Sequence, residues 1–309
     1  KKTILVMVFI KNNIILPMNE RCDMDINHEI LNRIAEALER ISPNIDEKID
    51  LSKSDGFIYD DSLKNLKPVK KISRVPIQLL KGLENQKDIL LKNTQNFANN
   101  LPANNALLWG AKGTGKSSLV KSVHAEINTQ NNKKIKLIEI HREDINNLPY
   151  LLSKLADYNE NKFILLCDDL SFDAGENTYK SLKSVLDGGI EGKPDNIIFY
   201  ATSNRRHLMP RDMIENERST SINPSEAVEE KVSLSDRFGL WIGFHNISQD
   251  IYLDIIYGYV KEFELNIDNP TLRSKALEWS ITRGARSGRV AWQFILQLAG
   301  ELNKKINLN

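Results

Sequence analysis

The stretch Gly110-Ala111-Lys112-Gly113-Thr114-Gly115-Lys116-Ser117-Ser118 directly follows the apolar run Ala106-Leu107-Leu108-Trp109, and few folds accommodate that order. A Gly-rich loop of this spacing, leaving a buried strand and opening a helix, is a phosphate-binding loop. Gly110, Gly113 and Gly115 permit backbone angles closed to other residues, so successive N–H groups can turn inward around a β-phosphate. Lys116 supplies a positive charge. The spacing predicts a helix over Ser117–Ile127. There the Ser117 hydroxyl can ligate Mg²⁺, and the helix N-terminus adds favourable partial charge toward the phosphates. Nucleotide contacts are therefore expected from Gly110, Lys112, Gly113, Thr114, Gly115, Lys116, Ser117 and Ser118, with Ser117 serving the metal as well.

From Ile77 onward strand, loop and helix alternate, the pattern of an α/β parallel sheet with helices on both faces. Five strands are predicted, at Asn105–Trp109, Lys136–Ile140, Phe163–Cys167, Ile197–Thr202 and Trp241–Phe244. Phosphate chemistry in such a sheet belongs at the carboxyl ends of the strands, and the next two motifs fall there. Phe163 to Cys167 ends in Asp168-Asp169, where Asp168 is placed to hold Mg²⁺ and Asp169 to orient or deprotonate an attacking water. Ile197 to Ser203 ends in Asn204, which can hydrogen-bond that water or the γ-phosphate; a plain turn-forming Asn is the alternative. Further on, Leu234 to Gly239 and Gly284 to Arg289 each put arginines, Arg237 and then Arg286 and Arg289, where the chain enters or leaves a regular element. Arginine suits bidentate phosphate contact, although each of these taken singly is a surface arginine.

With 309 residues, 41% hydrophobic and 27% charged, the chain is long and apolar enough for one large or two modest cored domains, which excludes a disordered or fibrous protein. A net charge of +1 gives no global attraction to nucleic acid or acidic membranes. Cys22 and Cys167, far apart and one inside an apolar run, imply reduced core thiols and a cytoplasmic setting. Lys1-Lys2 followed by Thr3 to Ile10 has the outline of a signal peptide, but the run is interrupted by Lys11-Asn12-Asn13 and is too short to span a bilayer. A strand-like or loosely packed extension is expected there, followed by an amphipathic helix over Asp25–Ile41 that Pro43 ends. The polar, Pro-punctuated stretch Ser42–Pro76 reads as a linker or peripheral layer. His207–Val232, with Pro210 and Pro224, is longer than an ordinary connection and reads as a functional loop.

Taken in order, the motifs resemble those of the AAA+ ATPases. The phosphate loop and the Asp168-Asp169 strand match that group's two nucleotide motifs, Asn204 its first sensor, Arg237 its arginine finger and Arg289 its second sensor, with Arg286 the competing candidate. More narrowly, Leu101 to Asn105, Cys167 to Phe172, Ala201 to Leu208 and Leu234 to Trp241 are similar to a bacterial AAA+ family catalogued as domain of unknown function 815. The similarity runs from about Ile77 to the C-terminus. It implies a P-loop NTPase of AAA+ type: an N-terminal extension over 1–75, an αβα ATPase domain over 76–246 and a helical lid over 247–309. Consecutive amphipathic helices at Gln249–Phe263, Thr271–Thr282 and Gly288–Leu302 support that lid independently.

The resemblance further implies ATP and Mg²⁺ as cofactors and a homo-oligomer whose sites are shared between subunits. Its expected activity is ATP hydrolysis coupled to remodelling or release of a macromolecular partner, a protein client ahead of nucleic acid, with no membrane role. One departure matters. Most AAA+ proteins carry Glu where this chain has Asp169, whose carboxylate lies about one methylene farther from the water. The Asp-Asp pair also occurs in initiator-like AAA+ proteins, where nucleotide acts as an assembly switch. The alternative is therefore an ATP-gated loader on nucleic acid with slow hydrolysis, favoured by Lys64, Lys67, Lys70, Lys71, Arg74, Arg205, Arg206 and Arg211. A small-molecule kinase would share the loop but would not need the sensors, the finger or the lid.

Overall fold

The computed structural model of the chain describes residues 30–34, 37, 49–130, 135–172, 178–188, 192–208 and 234–307. The chain divides into two units, Lys1–Lys48 and Ile49–Asn309. In the first, residues 30–34 are helical with exposed side chains, within the span predicted for the amphipathic helix. The remainder of that prediction, the strand-like extension and most of the 207–232 loop, including Arg211, lie outside the described residues.

The second unit is built on a sheet of seven strands: β1 (Gly56–Asp60), β2 (Asn65–Pro68), β3 (Ala106–Gly110), β4 (Lys136–Ile140), β5 (Phe163–Cys167), β6 (Ile197–Ser203) and β7 (Leu240–Phe244). Their spatial order is β2-β1-β4-β5-β6-β3-β7, and only β2 runs antiparallel to its neighbour. β5 and β6 are buried along their whole length, as expected of parallel strands covered on both faces. Alternate residues serve two cores. Phe163, Leu165 and Cys167 face one, which contains Leu148, Leu151 and Leu155 of helix α3 (Leu148–Ala156) and Leu182 of α4 (Thr178–Asp187). Ile164 and Leu166 face the other, which contains Leu90 and Phe97 of α1 (Glu84–Ala98) and Leu119, Val120, Val123 and Ile127 of α2 (Lys116–Gln130).

The five predicted strands are present, and the predicted count of five is corrected to seven among the described residues. The linker reading of Ser42–Pro76 is corrected from residue 49 onward, because β1 and β2 form a hairpin inside that stretch and β1 adds in parallel to β4, Phe57 opposite Ile138. Phe57 and Tyr59 are buried in the first core, and burying side chains of this size contributes about 1.5–3 kcal/mol each. The turn is held by Asp60, whose Oδ1 accepts the N–H groups of Ser62 and Leu63, and it closes on Lys64 at a φ of 48°.

Three helices, α5 (Gln249–Glu262), α6 (Asn269–Thr282) and α7 (Gly288–Glu301), surround a third core with Tyr252, Ile256, Phe294 and Ile295. Each starts at a side-chain cap: Ser248 accepts from Ile251 N–H, Asp268 from Thr271 N–H and Ser287 from Val290 N–H. Such caps satisfy N–H groups that the first turn leaves without partners. Asp268 together with Pro270 starts α6 two residues before the predicted Thr271. Leu79, in the short 3₁₀ turn Ile77–Leu79, joins the same core and ties the segment ahead of α1 to the lid helices. Among the described residues no helix is long and apolar enough to cross a membrane.

Candidate functional site

The strand order brings the motifs together. β6 lies between β5 and β3, so the turn after β5 and the loop after β3 flank the end of β6. β3 ends at Gly110 with φ +137°, where a Cβ would stand 1.9 Å from the Phe244 carbonyl oxygen of β7, so no larger residue fits the pairing. Gly113 and Gly115 follow at φ +75° and +96°, in the left-handed region that other residues rarely enter. Thr114 Oγ1 donates to the Ala111 carbonyl at 2.8 Å and closes the loop. The helix then begins at Lys116, one residue before the predicted start.

Lys116 curls back across the loop. Its Nζ donates to the carbonyls of Gly110 (2.8 Å) and Ala111 (2.7 Å) and to Asn204 Oδ1 (3.2 Å), which occupies all three ammonium donors. Burial pushes its pKa down, the charges of Asp168 and Asp169 oppose that shift, and Arg289 and Lys112 add to it. Asn204 Nδ2 donates to Asp169 Oδ1. Lysine only donates and a carboxylate only accepts, so these two neighbours fix which way the Asn204 amide points. Ser117 Oγ donates to Asp168 Oδ1. Asp169 itself sits at φ +54°.

The lid helices close the site. A Cβ on Gly113 would come 2.9 Å from Ser287 Oγ and 3.4 Å from Arg289 Cβ, so the start of α7 rests directly on the phosphate loop. Together these residues line a cavity of about 470 Å³, within the range of small-ligand sites. Its polar lining comprises Lys112 to Ser118, Asp168, Asp169, Asn204 and Arg289, among others. Its apolar lining includes Val75, Leu79, Ile255, Tyr259 and Trp292.

Of the predicted residues, Arg289 lines this cavity and Arg286 does not. Gly110 underlies the loop. Arg237 is not brought here. It precedes β7, whose far end, Phe244, pairs with Gly110, so it stands a strand length away, about 16 Å. There its Nε donates to Asp187 Oδ1 at 2.6 Å. Sequence reasoning missed the apolar wall, because Val75 and Leu79 belong to the stretch read as a linker and its edge. It also missed Thr202, which bonds both Asp168 and Asp169; its one signal was a hydroxyl two residues ahead of Asn204 on a buried strand. A larger depression of about 770 Å³ lies at the opposite ends of the strands, lined in part by Lys162, Lys193 and Asp195, and no motif residue reaches it.

The donor set fits a magnesium-bound triphosphate. Ser117 and Asp168 present hydroxyl and carboxylate oxygens in mutual contact, the hard donors that Mg²⁺ takes, and one or two protein ligands suffice because phosphates and waters complete its shell.

The family model described as "Protein of unknown function (DUF815)" matches residues 52–302. No curated protein gave a significant match. Among solved structures, the chain is similar to a chain of the E. coli MS115-1 HORMA:CdnC:Trip13 complex at 14% identity, covering 72% of this chain and 90% of that one with a TM-score of 0.46. It is similar to the Thermotoga maritima RuvB Holliday junction branch migration motor at 15% identity, covering 75% and 73% with a TM-score of 0.42. It is also similar to the Aeropyrum pernix ORC1 protein, solved in complex with DNA, at 14% identity, covering 78% and 65% with a TM-score of 0.50. At such identities the likeness concerns the fold alone. The match over residues 52–302, joined to this sheet order, loop and lid, makes the chain a member of the DUF815 family with the α/β fold of AAA+ P-loop ATPases.

Proposed function

We propose that the chain binds Mg-ATP in the 470 Å³ cavity and hydrolyses it, and that assembled subunits use this cycle to remodel or release a macromolecular partner. The observation that carries the reading is the Asn204 amide, which bridges the phosphate-loop lysine and the second strand-end acid. Three strands deliver those groups to one point, an arrangement with no evident purpose in packing alone.

In this reading Lys116 exchanges the Gly110 and Ala111 carbonyls for phosphate oxygens. Ser117 and Asp168 would hold the metal ion, which would supply positive charge to the phosphates. Asp169 accepts the proton of the attacking water, and Asn204 orients that water. Residues 247–309 act as a lid, carrying Arg289 toward the γ-phosphate. Arg237, remote from its own cavity, serves the site of a neighbouring subunit in a homo-oligomer. The partner is a protein ahead of nucleic acid, since Lys64 and Lys67 are paired with Asp61 and Asp60 and Arg206 lies over the Trp109 ring. The slow, switch-like alternative is favoured by one feature, the short Asp169 side chain held by Asn204.

Equilibrium ATP binding and phosphate release on Lys116→Ala and Asp169→Asn test the core of the proposal. Lys116→Ala should abolish binding. Asp169→Asn should keep Mg-ATP and lose turnover, because an amide is not a general base. Full hydrolysis by Asp169→Asn would sink the assignment.

A further inference from the structure

One buried side chain on β6, two residues ahead of Asn204, touches both strand-end acids and carries none of the roles read from the motifs. Thr202 is 1% exposed. Its Oγ1 donates to Asp168 Oδ1 at 2.5 Å and accepts the Asp169 N–H at 3.0 Å, while its carbonyl accepts the Leu170 N–H at 2.7 Å. One residue thus pins three successive residues of the turn after β5. A hydroxyl has a single proton. Since a carboxylate can only accept and a backbone N–H can only donate, the threonine proton is committed to Asp168 and its lone pair to Asp169.

The consequences differ for the two acids. Asp168 Oδ1 receives both the Ser117 and the Thr202 hydroxyls, so the rotation of the carboxylate is set and Oδ2 is left for other partners. Asp169 sits at φ +54°, in the left-handed region, which Asp enters more readily than most non-glycine residues. The Thr202 contacts lie on its own amide and on the residues either side of it. β6 therefore sends Thr202 to the backbone of the turn and Asn204 to the side chain of Asp169.

We propose that Thr202 is a positioning residue for both acids, setting Asp168 toward the metal ion and Asp169 toward the attacking water. The inference rests on the Mg-ATP reading of the cavity. It predicts that the hydroxyl matters most where metal is involved and little for the metal-free nucleotide, which is held by the loop and the lid.

Thr202→Val keeps the shape and the carbonyl bond to Leu170 but removes both side-chain bonds; Thr202→Ser keeps all of them. On the full chain, the affinity for a fluorescent ATP analogue is measured in EDTA and in Mg²⁺, Mn²⁺ binding is followed by EPR, and the melting temperature is recorded. In EDTA both variants should bind nucleotide like wild type. In Thr202→Val the gain in affinity conferred by metal should shrink roughly tenfold to a hundredfold, the worth of hydrogen bonds to a charged group. Thr202→Ser should restore it. A Thr202→Val protein that loses only melting temperature, with its metal-dependent gain intact, overturns the inference, and so does a folded Thr202→Ser that fails to restore it. Should Thr202→Val not fold, Thr202→Cys, a weaker donor at the same place, is read in the same assay with the same two outcomes at smaller amplitude. Wild-type protein that binds no nucleotide overturns the ATPase reading as well, which separates the two failures.

Discussion

Gly113→Ala tests how firmly the lid helix rests on the phosphate loop, and Gly284→Ala is its control. Both glycines have positive φ, +75° and +63°, so both variants carry the cost of an L-residue in the left-handed region, about 1–2 kcal/mol. They differ in what the new methyl group meets. At Gly284 nothing lies within 4 Å, whereas at Gly113 the Cβ would lie 2.9 Å from Ser287 Oγ and 3.1 Å from Ser287 Cβ. Ser287 caps α7 and cannot step aside without moving the helix start. Overpacking of this kind costs a further 1–3 kcal/mol or so. At roughly 2–4 °C per kcal/mol for a unit of this size, Gly284→Ala should melt about 2–8 °C below wild type and Gly113→Ala about 4–20 °C below it. Thermal unfolding of the two variants beside wild type gives the numbers, and ATP titration supplies a second reading in which only Gly113→Ala should weaken binding. Equal melting shifts for the two variants would refute the packing of α7 on the loop.

Arg237→Ala should bind ATP normally yet hydrolyse it at least about 10³-fold more slowly, and mixing it with Lys116→Ala should restore part of the rate; no rescue, with rates independent of protein concentration, would rule out a shared site. His124 is buried in α2, its Nε2 donating to the Ile135 carbonyl, and burial pushes its pKa down to about 4. The unfolded chain, with an ordinary His, takes up that proton first as pH falls, so stability is complete above about pH 6.5 and declines toward pH 4, by roughly 2–3 kcal/mol at pH 4.5. Urea unfolding at pH 7 and pH 4.5 should show that decline in wild type and a smaller one in His124→Asn. DNA binding at physiological salt should be weak and indifferent to ATP; a salt titration that finds ATP-tightened, steeply salt-dependent binding would move the loader ahead of the remodelling ATPase.

Local chemistry was legible in the sequence, and what depended on distant neighbours was not. The phosphate loop, Asp168-Asp169 and Asn204 each announce themselves within a few residues, because a glycine needing positive φ or an acid ending an apolar run carries its own signal. The lid helices were legible for a related reason: Ser248, Asp268 and Ser287 cap starts that the apolar periodicity had already bounded to within two residues. The β1–β2 hairpin was hidden because Gly56 to Asp60 is short, lies among mixed charges, and becomes a strand only through pairing with β4, about eighty residues later in the chain. Thr202 was hidden because its role exists only once β6 is inserted between β5 and β3.

That insertion also explains how one chain can hold its acids in readiness. In the strand order β5-β6-β3 the bonded pair Ser117 and Asp168 follows strands that are not neighbours, and the strand between them supplies the groups that bind across the gap. Asn204 then ties the same strand to Lys116, so the loop lysine, both acids and the end of β6 form one connected set of hydrogen bonds. A nucleotide that draws Lys116 away from the Gly110 and Ala111 carbonyls must act on Asn204, and through it on Asp169. Arg237 stands outside this set, in an ion pair with Asp187.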